Sequence, residues 1–238
     1  MPVRRARRRL GDERGTALIL MMLITMLLLA LGTMLALTAA TETAVAAHHR
    51  DGIEALHAAD AAVAWAAHDL ARTGDWTAVL SGGVVSSWFD GAPGPRRLAD
   101  GTTLDLVALT NELRCGVPVA CSDAAMDAVS AARPWGRNNP RWRVFAHGPA
   151  TGLPGVDGRS YVVVWVGDDP SETDGDPHRD GGVSGDDGAG TSGNPGLGTL
   201  LVIAHAYGPG TAVRVVEAGV ARVGGQPGVR LVGWRAGP

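Results

Sequence analysis

The sequence predicts an α+β protein in which a long hydrophobic N-terminal α-helix precedes a β-rich head with an antiparallel sheet. Three observations carry this: a charge-free apolar run from Thr16 to Thr41, an alanine-rich continuation that keeps helical spacing as far as Arg72, and short β-branched runs bounded by Gly or Pro in the C-terminal half. With 238 residues and 45% hydrophobic content, the chain is long enough for one sizeable head besides the helix.

Residues 1–15 form a basic leader, with Arg4, Arg5, Arg7, Arg8, Arg9 and Arg14 set against Asp12 and Glu13. As a helix, residues 16–41 would extend about 39 Å at the usual rise, more than the roughly 30 Å of a bilayer core. A soluble helix that is apolar all round has no face for water, so membrane insertion is expected. Arginines precede the run and the first charge after it is Glu42. The positive-inside rule then predicts a single-pass protein of the inner (cytoplasmic) membrane, N-terminus in the cytoplasm and head exported. A cleaved secretory signal is the competing reading, since Ala36–Ala40 supplies small residues. Against it, the run exceeds the about 7–15 residues of a signal h-region, and the helical pattern continues past any such cut.

From Glu42 to Arg72 the chain is rich in alanine and free of proline. Ile53, Leu56, Val63 and Leu70, with Ala59 and Ala66 between them, follow three-and-four spacing, and Glu54, Asp60 and Asp69 lie off that stripe. One continuous helix over 16–72 is expected, weakened but not stopped at Gly32 and Gly52, with the stripe of its second half packed on the head.

Arg14-Gly15-Thr16-Ala17-Leu18-Ile19-Leu20, where the basic leader meets the apolar helix, resembles the processing site of type IV prepilins and pseudopilins. The run ERGTALILMMLITMLLLALGTMLAL followed by ALHAADAAVAWAAHDL is similar to PilX-type minor pilins over residues 9–70, and YVVVWVGDDP, GTLLVIAHAYGPGTAVRVVEAGVAR and GVRLVGWR extend the likeness through 140–235. The resemblance implies that a prepilin peptidase cuts after Gly15 and methylates Thr16, and that the partners are other pilin or pseudopilin subunits. Major pilins carry glutamate at the fifth mature position, where this chain has Leu20. That departure points away from a bulk filament subunit and towards a minor pilin or a tip pseudopilin. An all-apolar helix is stable in lipid, and leaves it only when other helices bury it again.

After Arg72 the composition shifts to Gly, Pro and Ser, placing the start of the head at Thr73–Asp75 and the head over 73–238. Strands are expected at Trp142–Phe145, Tyr161–Val166, Leu200–Tyr207, Val213–Val223 and Val229–Trp234, the last three as an antiparallel meander through turns at 208–211 and 224–228. A helix is expected over Ala124–Ala132. Cys115 and Cys121 are an even pair in a chain read as exported, so a disulfide closing a small loop is expected, with two reduced thiols as the alternative.

Residues 168–198 form an acidic, Gly-rich stretch read as a solvated loop. The alternative is calcium held by Asp168, Asp169, Asp174 and Asp176, since a hard cation seeks six to eight oxygens. The spacing is not that of an EF-hand, because Pro177 and His178 stand where that loop needs a ligand and a glycine. Apart from that calcium, no cofactor is expected. The Gly188-Ala189-Gly190-Thr191-Ser192-Gly193 match to G-x-G-x-x-G follows no strand and runs into Asn194-Pro195, so dinucleotide binding is not expected.

His48, His49, His57 and His68 lack the i, i+4 pairing of a helical metal site. Trp65, Trp135, Trp142, Trp165 and Trp234 are expected in the core, with Trp76 and Trp88 as candidates for exposure. No hydrolase elbow, zincin or phosphate-loop motif occurs, and all 21 basic residues are arginine within a net charge of −3. The expected role is therefore structural, non-enzymatic and without nucleic acid: a minor pilin-like subunit in assembly, initiation or capping of a type IV pilus or pseudopilus. The alternative is a single-pass anchored envelope domain that binds a ligand or surface without entering a filament. A secreted enzyme has the least support.

Overall fold

The computed structural model describes residues 13–156, 158–172, 174–181, 196–210, 212–223 and 228–237. The first helix, α1, spans Glu13–Arg72 without interruption. Its threonines do not break it, because their hydroxyls donate back to carbonyls three or four residues earlier: Thr25 to Met21, Thr38 to Met34 and Thr43 to Ala39. The helix stops where Thr73 N–H and the Trp76 indole both donate to the Leu70 carbonyl, which turns the chain into the short helix α2, Trp76–Leu80, capped by Asp75.

By contacts, the molecule divides inside α1, between His49 and Arg50. In the second unit α1 buries Ala55, Ala58, Ala59, Ala62, Val63, Ala66, Ala67 and Leu70, a stripe with true helical spacing. Of the four expected packing residues, Val63 and Leu70 are in the core and Leu56 packs against it half-buried, but Ile53 is 42% exposed. Tracing the large side chains places the stripe wrongly at Ile53, because the alanines define the face. Small residues bring the helix backbone close to the sheet, and a bulky one fits only where the sheet leaves room.

The sheet is a five-stranded antiparallel meander in sequence order: β3 (Arg143–Pro149), β4 (Tyr161–Asp168), β5 (Thr199–Tyr207), β6 (Val213–Arg222) and β7 (Val229–Gly237). It follows β1 (Pro95–Arg97) and β2 (Thr103–Asp105), a separate small antiparallel pair. Strand β4 is buried along its whole length because both faces are covered. Val162, Val164 and Val166 join Phe145, Val202, Ala204 and Val216 against the α1 stripe. Val163 and Trp165 on the other face meet Ile203, Trp142 and Leu106 of α3 (Leu106–Cys115). The second unit is thus three layers: helix, sheet, and a cover of α3 with the small hairpin.

Helix α3 was not among the sequence expectations, although its ends are well marked. Asp105 accepts from the amides of Val107 and Ala108, and Gly116 closes the helix at φ +78°. The helix expected over Ala124–Ala132 shrinks to α4, Asp123–Asp127, capped by Ser122. After Asp127 the segment instead wraps around Asn139, whose side-chain amide donates to the Met126 and Ala128 carbonyls. Cys115 and Cys121 are joined in a disulfide with Cα atoms 6.3 Å apart, tying the end of α3 to the approach to α4.

The tryptophans distribute differently from expectation. Trp76 and Trp88 are not exposed: Trp76 is 1% accessible, with Arg222 over its ring, and Trp88 packs against the core beside Gly148 and Gly152. Trp135 and Trp234 are exposed instead of buried; Trp234 lies on β7, the edge strand, where its indole donates to Asp60 of α1. An edge strand with one uncovered face can hold an aromatic in water if its polar tip has a partner.

Candidate functional site

Two places in the molecule are built in a way the fold alone does not require. The first is the apolar segment of α1. From Gly15 through Thr41 every residue is exposed, including Leu, Ile and Met side chains in each successive turn. Among the described residues this is one helix long and apolar enough to cross a membrane, with mean hydropathy 2.6 over its most apolar window and none of that window buried. Beyond the first turn the backbone groups are bonded within the helix, and the hydroxyls of Thr25, Thr33, Thr38 and Thr41 donate to its carbonyls, as an apolar solvent demands.

Gly15 and Thr16 sit in the first turn of α1, on its surface. A Cβ on Gly15 would meet nothing within 4 Å, so packing gives no reason for glycine at that position. Residues 1–12 of the leader lie outside the described residues.

The second place is an acidic cluster where β4 ends. Asp168, the last residue of β4, is held in register opposite Leu200 and is 3% exposed. Glu172, 2% exposed, follows in the turn beyond. Its amide donates to the Asp169 carbonyl at 3.0 Å, its carbonyl accepts from Asn138 at 2.7 Å, and its Oε2 accepts from the Gly181 amide at 3.0 Å. Asp174 is half-buried, and its Oδ1 accepts from the Asp176 amide at 3.0 Å. One carboxylate oxygen from each of Asp168, Glu172 and Asp174 lies within 4.8 Å of the other two.

Burial, then the charges of Glu172, Asp174 and Asp180, push the Asp168 carboxyl up to about 9. Nearby Asp180 is raised too, chiefly by burial, although it accepts from the Gly198 amide and faces Arg222 at 3.5 Å. Asp168 Oδ1 and Asp174 Oδ2 have no hydrogen-bond donor among the described residues.

This corrects two expectations. The start of the 168–198 stretch is not a solvated loop, because Asp168 and Glu172 are core-deep and the turn is bonded to Asn138 and to the amides of Gly181 and Asp176. Nor do the four aspartates expected as calcium ligands converge: Asp168 and Asp174 do, joined by Glu172. Asp169 and Asp176 instead cap turns, accepting from the amides of Ser171 and His178. Glu172 is not among the four expected residues, because only the turn geometry brings it inward. The Gly188–Gly193 motif lies outside the described residues.

A third feature is an open groove of about 1100 Å³ beside β7, lined in part by Trp135, Trp142, Ile203, Glu217, Trp234 and Arg235. Arg235 and Glu217 form an ion pair across it. His48, His49, His57 and His68 are all exposed along α1. Neither a family model, nor a curated protein, nor a solved structure matches this chain.

Proposed function

We propose that the chain is a structural, minor pilin-like subunit, processed by a prepilin peptidase after Gly15 and acting in the assembly, initiation or capping of a type IV pilus or related pseudopilus. The observation that carries this reading is the fully exposed apolar segment of α1, continuous in one helix with the alanine stripe that packs on the sheet. Such a helix is soluble in lipid while the subunit waits in the inner membrane, and becomes soluble in protein when sister helices enclose it. Leucine and methionine around the whole circumference suit both settings. Arginines before the segment orient it with the head exported.

The Gly15 position supports the same reading. Nothing in the packing asks for glycine there, whereas a peptidase that must bring the chain close to its own catalytic groups does. The missing glutamate, Leu20 in its place, fits a subunit used in few copies.

The groove beside β7, with its exposed tryptophans, favours a second reading: an anchored envelope domain that binds a ligand and never joins a filament. Gly15→Val separates the two. In a pilin-like protein the variant keeps its fifteen-residue leader, migrates as the longer species on an immunoblot and vanishes from sheared surface filaments. An anchored domain would show wild-type size and distribution in the variant, and that result would remove the pilin reading.

A further inference from the structure

We infer that Asp168, Glu172 and Asp174 form a binding site for a single calcium ion, at the point where β4 leaves the sheet. The inference rests on geometry in the head and does not depend on whether the protein enters a filament.

Three carboxylates converge within 4.8 Å, and two of them belong to residues almost wholly withdrawn from water. Acidic groups gathered on a surface are ordinary, since water solvates them. Here Asp168, at 3% exposure, keeps Oδ1 without a hydrogen-bond donor and stands in no ion pair with an arginine among the described residues. A buried carboxylate left in that state is strongly unfavourable unless it holds a proton or a cation. Arg222, on the strand beyond β5, is committed to Asp180.

Each ligand is held by other parts of the fold. Asp168 is fixed in the ladder with β5, opposite Leu200, Glu172 by Asn138 and the Gly181 amide, and Asp174 by the Asp176 amide. The returning chain closes over Glu172: a Cβ on Gly196 would fall 2.6 Å from Glu172 Cγ and 2.8 Å from its amide nitrogen. Only glycine permits that approach without displacing the carboxylate.

The donor set selects the ion. It consists of oxygen only, without His or Cys, which excludes the softer metals. Calcium binds oxygen at about 2.3–2.6 Å, so two ligands on opposite sides of one ion stand about 4.6–5.2 Å apart, and a triad contained within 4.8 Å spans it without rearrangement. Magnesium demands near-ideal octahedral geometry at about 2.0–2.1 Å, so oxygens on opposite sides of it stand only about 4.0–4.2 Å apart, and a triad spread over as much as 4.8 Å suits the larger, more adaptable calcium. Asp169 and Asp176, committed to their turns, are not ligands.

The test uses the full chain in detergent micelles, stripped with a chelator and titrated with calcium chloride by calorimetry, with thermal melting followed by tryptophan fluorescence. Expected is one saturable site of about millimolar affinity or tighter, a higher melting temperature with calcium, and at least about tenfold weaker binding of magnesium. Asp168→Asn loses more than about a hundredfold in calcium affinity, beyond the roughly 10–100-fold that removal of an outer partner of a ligand brings. Because Asn is a neutral near-isostere of the buried Asp168 side chain and introduces no uncompensated charge, this variant without metal melts no lower than wild type, which separates a ligand role from a structural one. Asp174→Asn, at the half-buried edge, weakens binding likewise, and Asp176→Asn binds as wild type. Absence of saturable binding up to about 10 mM calcium, equal binding of magnesium, or undiminished affinity in both Asp168→Asn and Asp174→Asn overturns the assignment.

Discussion

Between Thr16 and Thr41, α1 exposes Leu, Ile and Met side chains in every turn; between Arg50 and Arg72 the same helix buries alanines on one side and keeps His57, Asp60 and His68 in water. The backbone pattern is shared, and the difference lies in the size and placement of apolar groups. Large side chains all round suit a neighbour of no fixed geometry, such as lipid or a sister helix. Small side chains on one face suit a partner of fixed shape, the valine-rich surface of the sheet, because they let the backbone approach closely. One helix can therefore be insoluble in water over one stretch and a core element over the next.

That contrast can be broken from either end. The largest effect is expected from Leu28→Arg, near the middle of the apolar run, where a charge adds roughly 3 kcal/mol to the free energy of insertion. Alkaline extraction of membranes should find the variant shifted from the pellet, and Leu28→Ala retained. In the second half, Ala59→Leu overpacks the contact with the sheet and should destabilise the head by about 1–3 kcal/mol in chemical denaturation. The same change at the exposed Ala39 should leave that transition where it was.

Smaller effects sharpen the picture of how the second half is fixed. Asp69 accepts from Ser86 Oγ at 2.5 Å and from the Ser87 amide and hydroxyl at 2.8 and 2.9 Å, pinning α1 to the chain that leads into the sheet. Asp69→Ala should cost about 1–2 kcal/mol of head stability without altering membrane retention. The smallest effect concerns pH. Burial pulls His205, which stacks edge-on against Trp165, down to about 4 from 6.5 in the unfolded chain. Its contribution is complete above pH 6.5 and is lost as pH falls towards 4, because the unfolded chain then takes up the proton first. Melting of the head should fall by a few degrees over that interval, and His205→Gln should flatten the change.

Much of the fold was legible in the sequence because its signals were local. The unbroken helix, the five strands of the main sheet and the antiparallel order of the last three follow from apolar runs punctuated by Gly and Pro. What escaped depended on partners distant in the chain. Ile53 looked like part of the stripe until the sheet chose the alanines, and Trp76 and Trp88 looked free until Leu70 and the core claimed them. Helix α3 was the exception, since the Asp105 cap and Gly116 stop were present to be read. At the acidic stretch the residue types pointed to a hard cation, but which carboxylates meet is decided by a turn: Glu172 folds inward while Asp169 and Asp176 are spent on capping.

A pilin-like subunit keeps the apolar half of α1 as a working helix and loses its leader at one bond. Mass spectrometry of the N-terminal peptide from protein recovered from the membrane fraction tests this most directly. Expected is a chain beginning at methylated Thr16. A chain still beginning at Met1, or one starting beyond Ala40 with the apolar run removed, would contradict it.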